Sequence, residues 1–217
     1  YYQTYIERDL RQMSNIRNLM DFEKFMRLLA GRIGQVVNLN SLANDIGISS
    51  TTLGEWLSIL EASFIIYRLK PYYENFGKRV VKSPKLYFTD VGLAAYLLGI
   101  CELHHVSRDP LIGNLFENLV VAEALKTRMN QGLDPNLFFF RDNNQNEVDL
   151  IYLKNRRLIP VEIKAAQTYQ ESLHKNIAFF QSITGSNEGY LIYGGELETR
   201  KEKMEIINFM NTYRIFQ

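Results

Sequence analysis

Two adjacent runs, "NEVDLIYLK" and "RLIPVEIKAA", constrain this chain more than any other feature. Their patterning predicts strands over 147–154 and 158–166, and the short link "NRR" between them makes the pair a hairpin. Side chains on a strand alternate faces. Glu162 and Lys164 therefore share one face, and Val161 and Ile163 take the other. In the first run Val148, Leu150 and Tyr152 form one face, and Glu147, Asp149 and Ile151 the opposite one. Pairing the strands brings Asp149 and Glu162 near each other on the sheet. Two carboxylates held close repel unless a cation or a proton sits between them. The plainer reading is an amphipathic strand whose polar face carries an ion pair.

The surroundings are those of a folded α/β protein. Of 217 residues, 46% are apolar and 23% charged, enough apolar material for real cores. The net charge of +1 gives no overall basic field, so any nucleic-acid contact must come from local patches. One cysteine, Cys101, rules out an internal disulfide and fits a reducing compartment, and no signal peptide is visible; a cytoplasmic location is expected. No apolar run approaches the ~20 residues that span a bilayer, so no membrane partner is expected. The opening "YYQTYIERDL" lacks an initiator methionine and enters helical patterning at once, as in a piece cut from a longer protein.

Residues 3–34 read as one or two helices. "NLNSLANDIGISSTTLGEWLSILEASFII" then gives a short helix, a turn at Gly47 and a second helix from about Ser49 or Ser50, the outline of a helix-turn-helix. "SFIIYRLKPYY" and "KLYFTD" are strand-like runs around a basic loop, so the first region, 1–105, is winged-helix-like. Its second helix has no Lys or Arg over 50–61, which argues against base reading. The basic loop instead offers Lys78, Arg79, Lys82 and Lys85 for phosphates. Trp56 is read as core. Periodicity is lost over 100–110, and a second region, 106–217, follows in the order helix, three strands, helix, strand. Its tail, 196–217, yields no assignment. His104 and His105 lack the spacing of a paired metal site and are read as structural or surface residues. Cys101 is read as an incidental thiol and His174 as exposed.

Glu117 falls on the first helix of this second region. A hard divalent ion suits the acids, because Mg2+ or Mn2+ accepts oxygen ligands and keeps several waters of its own. Asp149 and Glu162 are the expected ligands, with the Ile163 carbonyl as a further oxygen and Glu117 supporting from the helix. Lys164 is placed to orient an attacking water or to stabilise charge on a phosphate.

The helix with Glu117, the strand with Asp149 and the strand with Glu162-x-Lys164, followed by helix and strand, resemble the PD-(D/E)xK nuclease core, a restriction-endonuclease-like α-β-β-β-α-β domain. Over the whole chain, "YIERDL", "LYFTDVGLAAYLLG", "GNLFENLVVAEALK", "FFFRDNNQNEVDLIY" and "IPVEIKAA" resemble the C-terminal half of prokaryotic AAA-type ATPases that carry the DUF4143 domain. The resemblance implies a nuclease-like fold and a catalytic set of Glu117, Asp149, Glu162 and Lys164, acting on DNA with Mg2+ or Mn2+. Arg141 also matches, as a phosphate contact or a partner of a sheet carboxylate. ATP chemistry would belong to an N-terminal P-loop domain, since no G-x-x-x-x-G-K-[ST] occurs here. The Q-x-x-x-Y element of RecB-like relatives is replaced by Gln170 and, four residues on, His174. The alternative expectation is a catalytically inactive DNA- or protein-docking module that regulates the ATPase.

Overall fold

The computed structural model describes residues 18–72, 83–100, 102 and 109–217. Helix α1 (Leu19–Ala30) begins where the Asn18 side chain accepts the Met20 and Asp21 amides, and it buries Phe22, Phe25, Met26 and Leu29. Helix α2 (Leu39–Ile46) ends at Gly47, whose φ of 90° is open to a residue without a Cβ. Ser49 then caps α3 (Ser50–Ala62) through the Thr52 amide. The helix–turn–helix path expected from the sequence is therefore present. Trp56 is buried, with its ring 5.1 Å from that of Phe22 and 5.5 Å from that of Phe25. Strands β1 (Ile66–Pro71) and β2 (Lys85–Phe88) pair antiparallel, and α4 (Val91–Leu97) follows, capped by Asp90.

The second half supplies helix α5 (Ile112–Asn130), strands β3 (Leu137–Arg141), β4 (Glu147–Lys154) and β5 (Arg157–Lys164), and a 3-10 turn at Glu171–His174. Helix α6 (Lys175–Thr184) and strand β6 (Tyr190–Tyr193) come next. The unassigned tail proves to be a β-hairpin, β7 (Thr199–Lys201) and β8 (Met204–Asn208), with a last short helix α7 (Tyr213–Phe216). One mixed sheet of eight strands, ordered β2-β1-β3-β4-β5-β6-β8-β7, runs through the molecule. The β1–β2 hairpin is part of it, because β1 pairs parallel with β3. The strands read as a wing are thus continuous with the sheet of the second region.

Helix α5 and helix α7 cover one face, over Leu150, Tyr152, Val161 and Ile163. Helix α6 covers the other, where Phe180 packs on Phe140, Val148 and Ile151. That Val148 and Ile151 share a face breaks the period of two, and the cause is a bulge. Phe138 pairs with Ile151 but Phe140 with Val148, so Asp149 and Leu150 together oppose the single residue Phe139. Leu150 stays with Tyr152 on the α5 face, while Val148 crosses to the α6 face and Asp149 shares its place in the register with Leu150.

Candidate active site

Four sequence-expected residues lie where β4, β5 and α5 meet, but they divide into two groups. The first is Asp149, Glu162 and Lys164. Beyond the Leu150–Val161 pair, β4 and β5 no longer share a ladder. The Asp149 carboxylate enters the gap and takes the Ile163 amide, with Oδ2 at 2.9 Å. Lys164 Nζ lies 3.2 Å from the same oxygen and 2.7 Å from Glu162 Oε1. Asn176, on α6, donates to Glu162 Oε1 at 2.9 Å. The other carboxylate oxygen, Glu162 Oε2, is buried with no hydrogen-bond partner.

Glu162 is only 1% exposed, and its pKa is pushed up to about 8, by burial first and then by the neighbouring Asp149 charge, against the pull of Lys164 and Asn176. For Lys164 burial works against the charge, but Asp149 and Glu162 outweigh it, so the ammonium is held firmly protonated. About a third of its side chain remains open to solvent, which leaves it at the rim.

The second group is built around Lys85. The sequence placed this lysine on a basic loop as a phosphate contact. It lies instead on β2, 2% exposed, with Nζ 3.0 Å from Glu117 Oε1 and in an ion pair with Glu147. A side chain so enclosed has no access to a phosphate backbone, and its neighbours explain the burial: two carboxylates and the Phe139 ring, 5.6 Å away. Tyr87, the next residue on the same face of β2, donates its hydroxyl to Glu117 Oε1 at 2.5 Å. Glu117 is therefore held by Lys85 and Tyr87 rather than by a shared contact with Asp149 and Glu162. Its pKa is raised to about 7 by burial, with Lys85 opposing and Asp149 adding to the rise. Arg141 takes the second of its expected roles, 3.4 Å from Glu147. Lys78, Arg79, Lys82, Cys101, His104 and His105 lie outside the described residues. His174 is half-buried and stacks on Tyr169, rather than standing free.

Sequence reasoning missed Glu147, Tyr87 and Asn176. For the first two the signal was there: Glu147 alternates with Asp149, and Lys85 with Tyr87, so each pair shares a strand face. Asn176 gave none, since only the docking of α6 on β5 brings it to Glu162.

The donor set passes one test for a cation and fails another. Four carboxylates, Glu117, Glu147, Asp149 and Glu162, face three cations, Lys85, Arg141 and Lys164. With all ionised the cluster is left negative, and the bare oxygen of Glu162 is where a proton or an ion fits. Among the described residues, however, no group of three or more His, Cys, Asp or Glu side chains is arranged to hold a metal ion. The three-acid set Asp149, Glu162 and Glu117 does not close, because Lys85 stands beside Glu117. Two carboxylates suit Mg2+, which keeps much of its own water, and do not suit an ion that needs a full protein cage.

Comparison with known proteins places these elements. Uncharacterized proteins of Mycobacterium bovis and Mycobacterium tuberculosis are each 31% identical over 169 residues, covering 77% of this chain and 37% of theirs. An uncharacterized protein of Haemophilus influenzae is 26% identical over 124 residues, 54% of this chain and 29% of that one. The chain thus spans between 29% and 37% of the length of these curated relatives. Residues 1–103 match a domain of unknown function, DUF8612, in which β1 and β2 lie. The second match takes in α5, the bulged β4, the Glu162-x-Lys164 strand and the C-terminal tail: residues 112–213 form a DUF4143 domain.

Proposed function

We propose that this chain is the nuclease-like module of a larger AAA-type ATPase and that it hydrolyses DNA phosphodiesters with one Mg2+ or Mn2+ ion. The reading is carried by one observation: Asp149 and Glu162, from separate strands, meet at a single lysine with a carboxylate oxygen left bare. A fully buried polar oxygen without a partner costs about 1–3 kcal/mol, more if charged, so it marks a place where something else belongs.

Asp149 and Glu162 would hold the ion. When bound, it supplies positive charge to a phosphate oxygen and acidifies the water it carries. The chain's own residues do the rest. The Ile163 amide and Lys164 fix the Asp149 carboxylate. Asn176 fixes one oxygen of Glu162 and leaves the other without a partner. Lys164, charged and at the rim, orients a water or meets the negative charge that grows on the phosphate.

A second reading is a catalytically silent DNA- or protein-docking module that regulates the ATPase. It is favoured by Glu117, whose carboxylate is already paired with Lys85 and hydrogen-bonded by Tyr87. Calorimetric titration with Mg2+ or Mn2+, together with plasmid cleavage by wild type, Asp149→Ala and Lys164→Ala, separates the two. Ion binding and cleavage lost in both variants support the hydrolase. Cleavage undiminished in both excludes this site, and neither ion binding nor cleavage in wild type favours the docking module.

A further inference from the structure

Among the described residues the most deeply buried cation is Lys85, 2% exposed. Lys85 has its ammonium between Glu117 and Glu147, with the Asp149 charge also acting on it. It comes from the first half of the chain, while the carboxylates it meets come from the second. The helix that carries Glu117 is fastened to that same first half by three side chains within about one turn of each other. Asn114 donates to the Ile33 carbonyl at 3.0 Å. Glu117 meets Lys85 and Tyr87. Asn118, fully buried, takes both backbone groups of Phe88, accepting from the amide at 2.7 Å and donating to the carbonyl at 2.8 Å. Such a seam fixes the depth to which β2 pushes Lys85 beside the acids.

We propose that Lys85 is a positioning residue of the site: its ammonium acts as a built-in counter-cation for Glu117 and Glu147, and so limits the site to a single external divalent ion. The physical basis is exclusion. An ammonium 3.0 Å from a carboxylate oxygen occupies the space in which a second hydrated ion would sit, and its charge repels one. Glu162, which shares Lys164 with Asp149, keeps a buried oxygen with no hydrogen-bond partner. A site assembled in this way also depends on both halves of the chain, because sliding β2 along α5 withdraws the counter-cation.

The proposal deepens the metal-dependent reading above and rests on it for the chemistry of the site, but its test reads a difference that holds either way. Mn2+ is counted per full-length chain by calorimetry and by electron paramagnetic resonance, for wild type, Lys85→Met and the double variant Lys85→Met/Glu117→Gln. Lys85→Met should take up one more ion than wild type, and the double variant should lose that extra ion. If wild type takes up none, the hydrolase reading fails, while a gain of one ion in Lys85→Met still upholds the role of Lys85. If wild type already takes up two ions, or Lys85→Met takes up no more than wild type, the role of Lys85 is overturned. Should Lys85→Met not fold, Glu117→Gln decides: Mn2+ affinity within about twofold of wild type supports the proposal, and a tenfold or greater loss, the mark of a ligand, refutes it.

Discussion

Replacing Glu162 by Gln tests the central feature of the site without touching its shape. In the metal-free protein the Glu162 carboxyl is raised from 4.5 to about 8, chiefly by burial and then by Asp149. The unfolded chain gives up that proton near its ordinary value. Between these two points the folded state binds a proton that the unfolded state does not, so stability falls as pH rises from about 4.5 to about 8 and then levels off. At about 1.36 kcal/mol per unit, the loss by pH 8 is on the order of 4 kcal/mol. Glutamine cannot ionise. The variant should therefore match wild type near pH 5 and exceed it by a few kcal/mol at pH 8. Glu117, raised to about 7, adds a slope of the same sign to both proteins and cancels in the comparison. Urea unfolding with a chelator present, at pH 5, 6.5 and 8, measures it. Added Mg2+ should restore stability to wild type at pH 8 and leave the variant unmoved. Parallel loss of stability in the two proteins across this range would show that the buried oxygen carries no such load.

Three further outcomes follow from particular contacts. Lys164→Ala leaves Asp149 and Glu162 facing each other and should cost about 1–3 kcal/mol at pH 8, discounted for the solvent that reaches the lysine, and less at pH 5, as Glu162 takes up a proton; thermal melts at the two values show this. Asn118→Ala strands both backbone groups of Phe88 and should cost about 2–4 kcal/mol in denaturant titration, with local hydrogen exchange of β2 accelerated most. Gly47→Ala should cost roughly 1–2 kcal/mol through backbone conformation alone, since φ is 90° and no atom lies within 4 Å of the added Cβ; a neutral result in the same titration would show that the turn relaxes.

Much of this arrangement is written in local patterns. The helix–turn–helix path follows from Gly47 and the Ser49 cap, and the hairpin from alternation on either side of "NRR". The pairing of Leu150 with Val161 carries Asp149 towards Glu162 as that alternation requires. The helical patterning after residue 110 places Glu117 on α5. These are legible because residues within a few positions of one another decide them.

Tertiary structure alone decided three things. The tail 196–217 becomes the β7–β8 hairpin only because β6 offers an edge for β8 to join. The bulge at Asp149 and Leu150 arises from the mismatch between β3 and β4, which no single strand records. Lys85 is a surface lysine by its own sequence and a buried counter-cation by its neighbours. An ammonium leaves water only where several carboxylates, from β4 and α5 here, already wait to receive it, and such a convergence of distant segments belongs to the fold and not to any stretch of the chain.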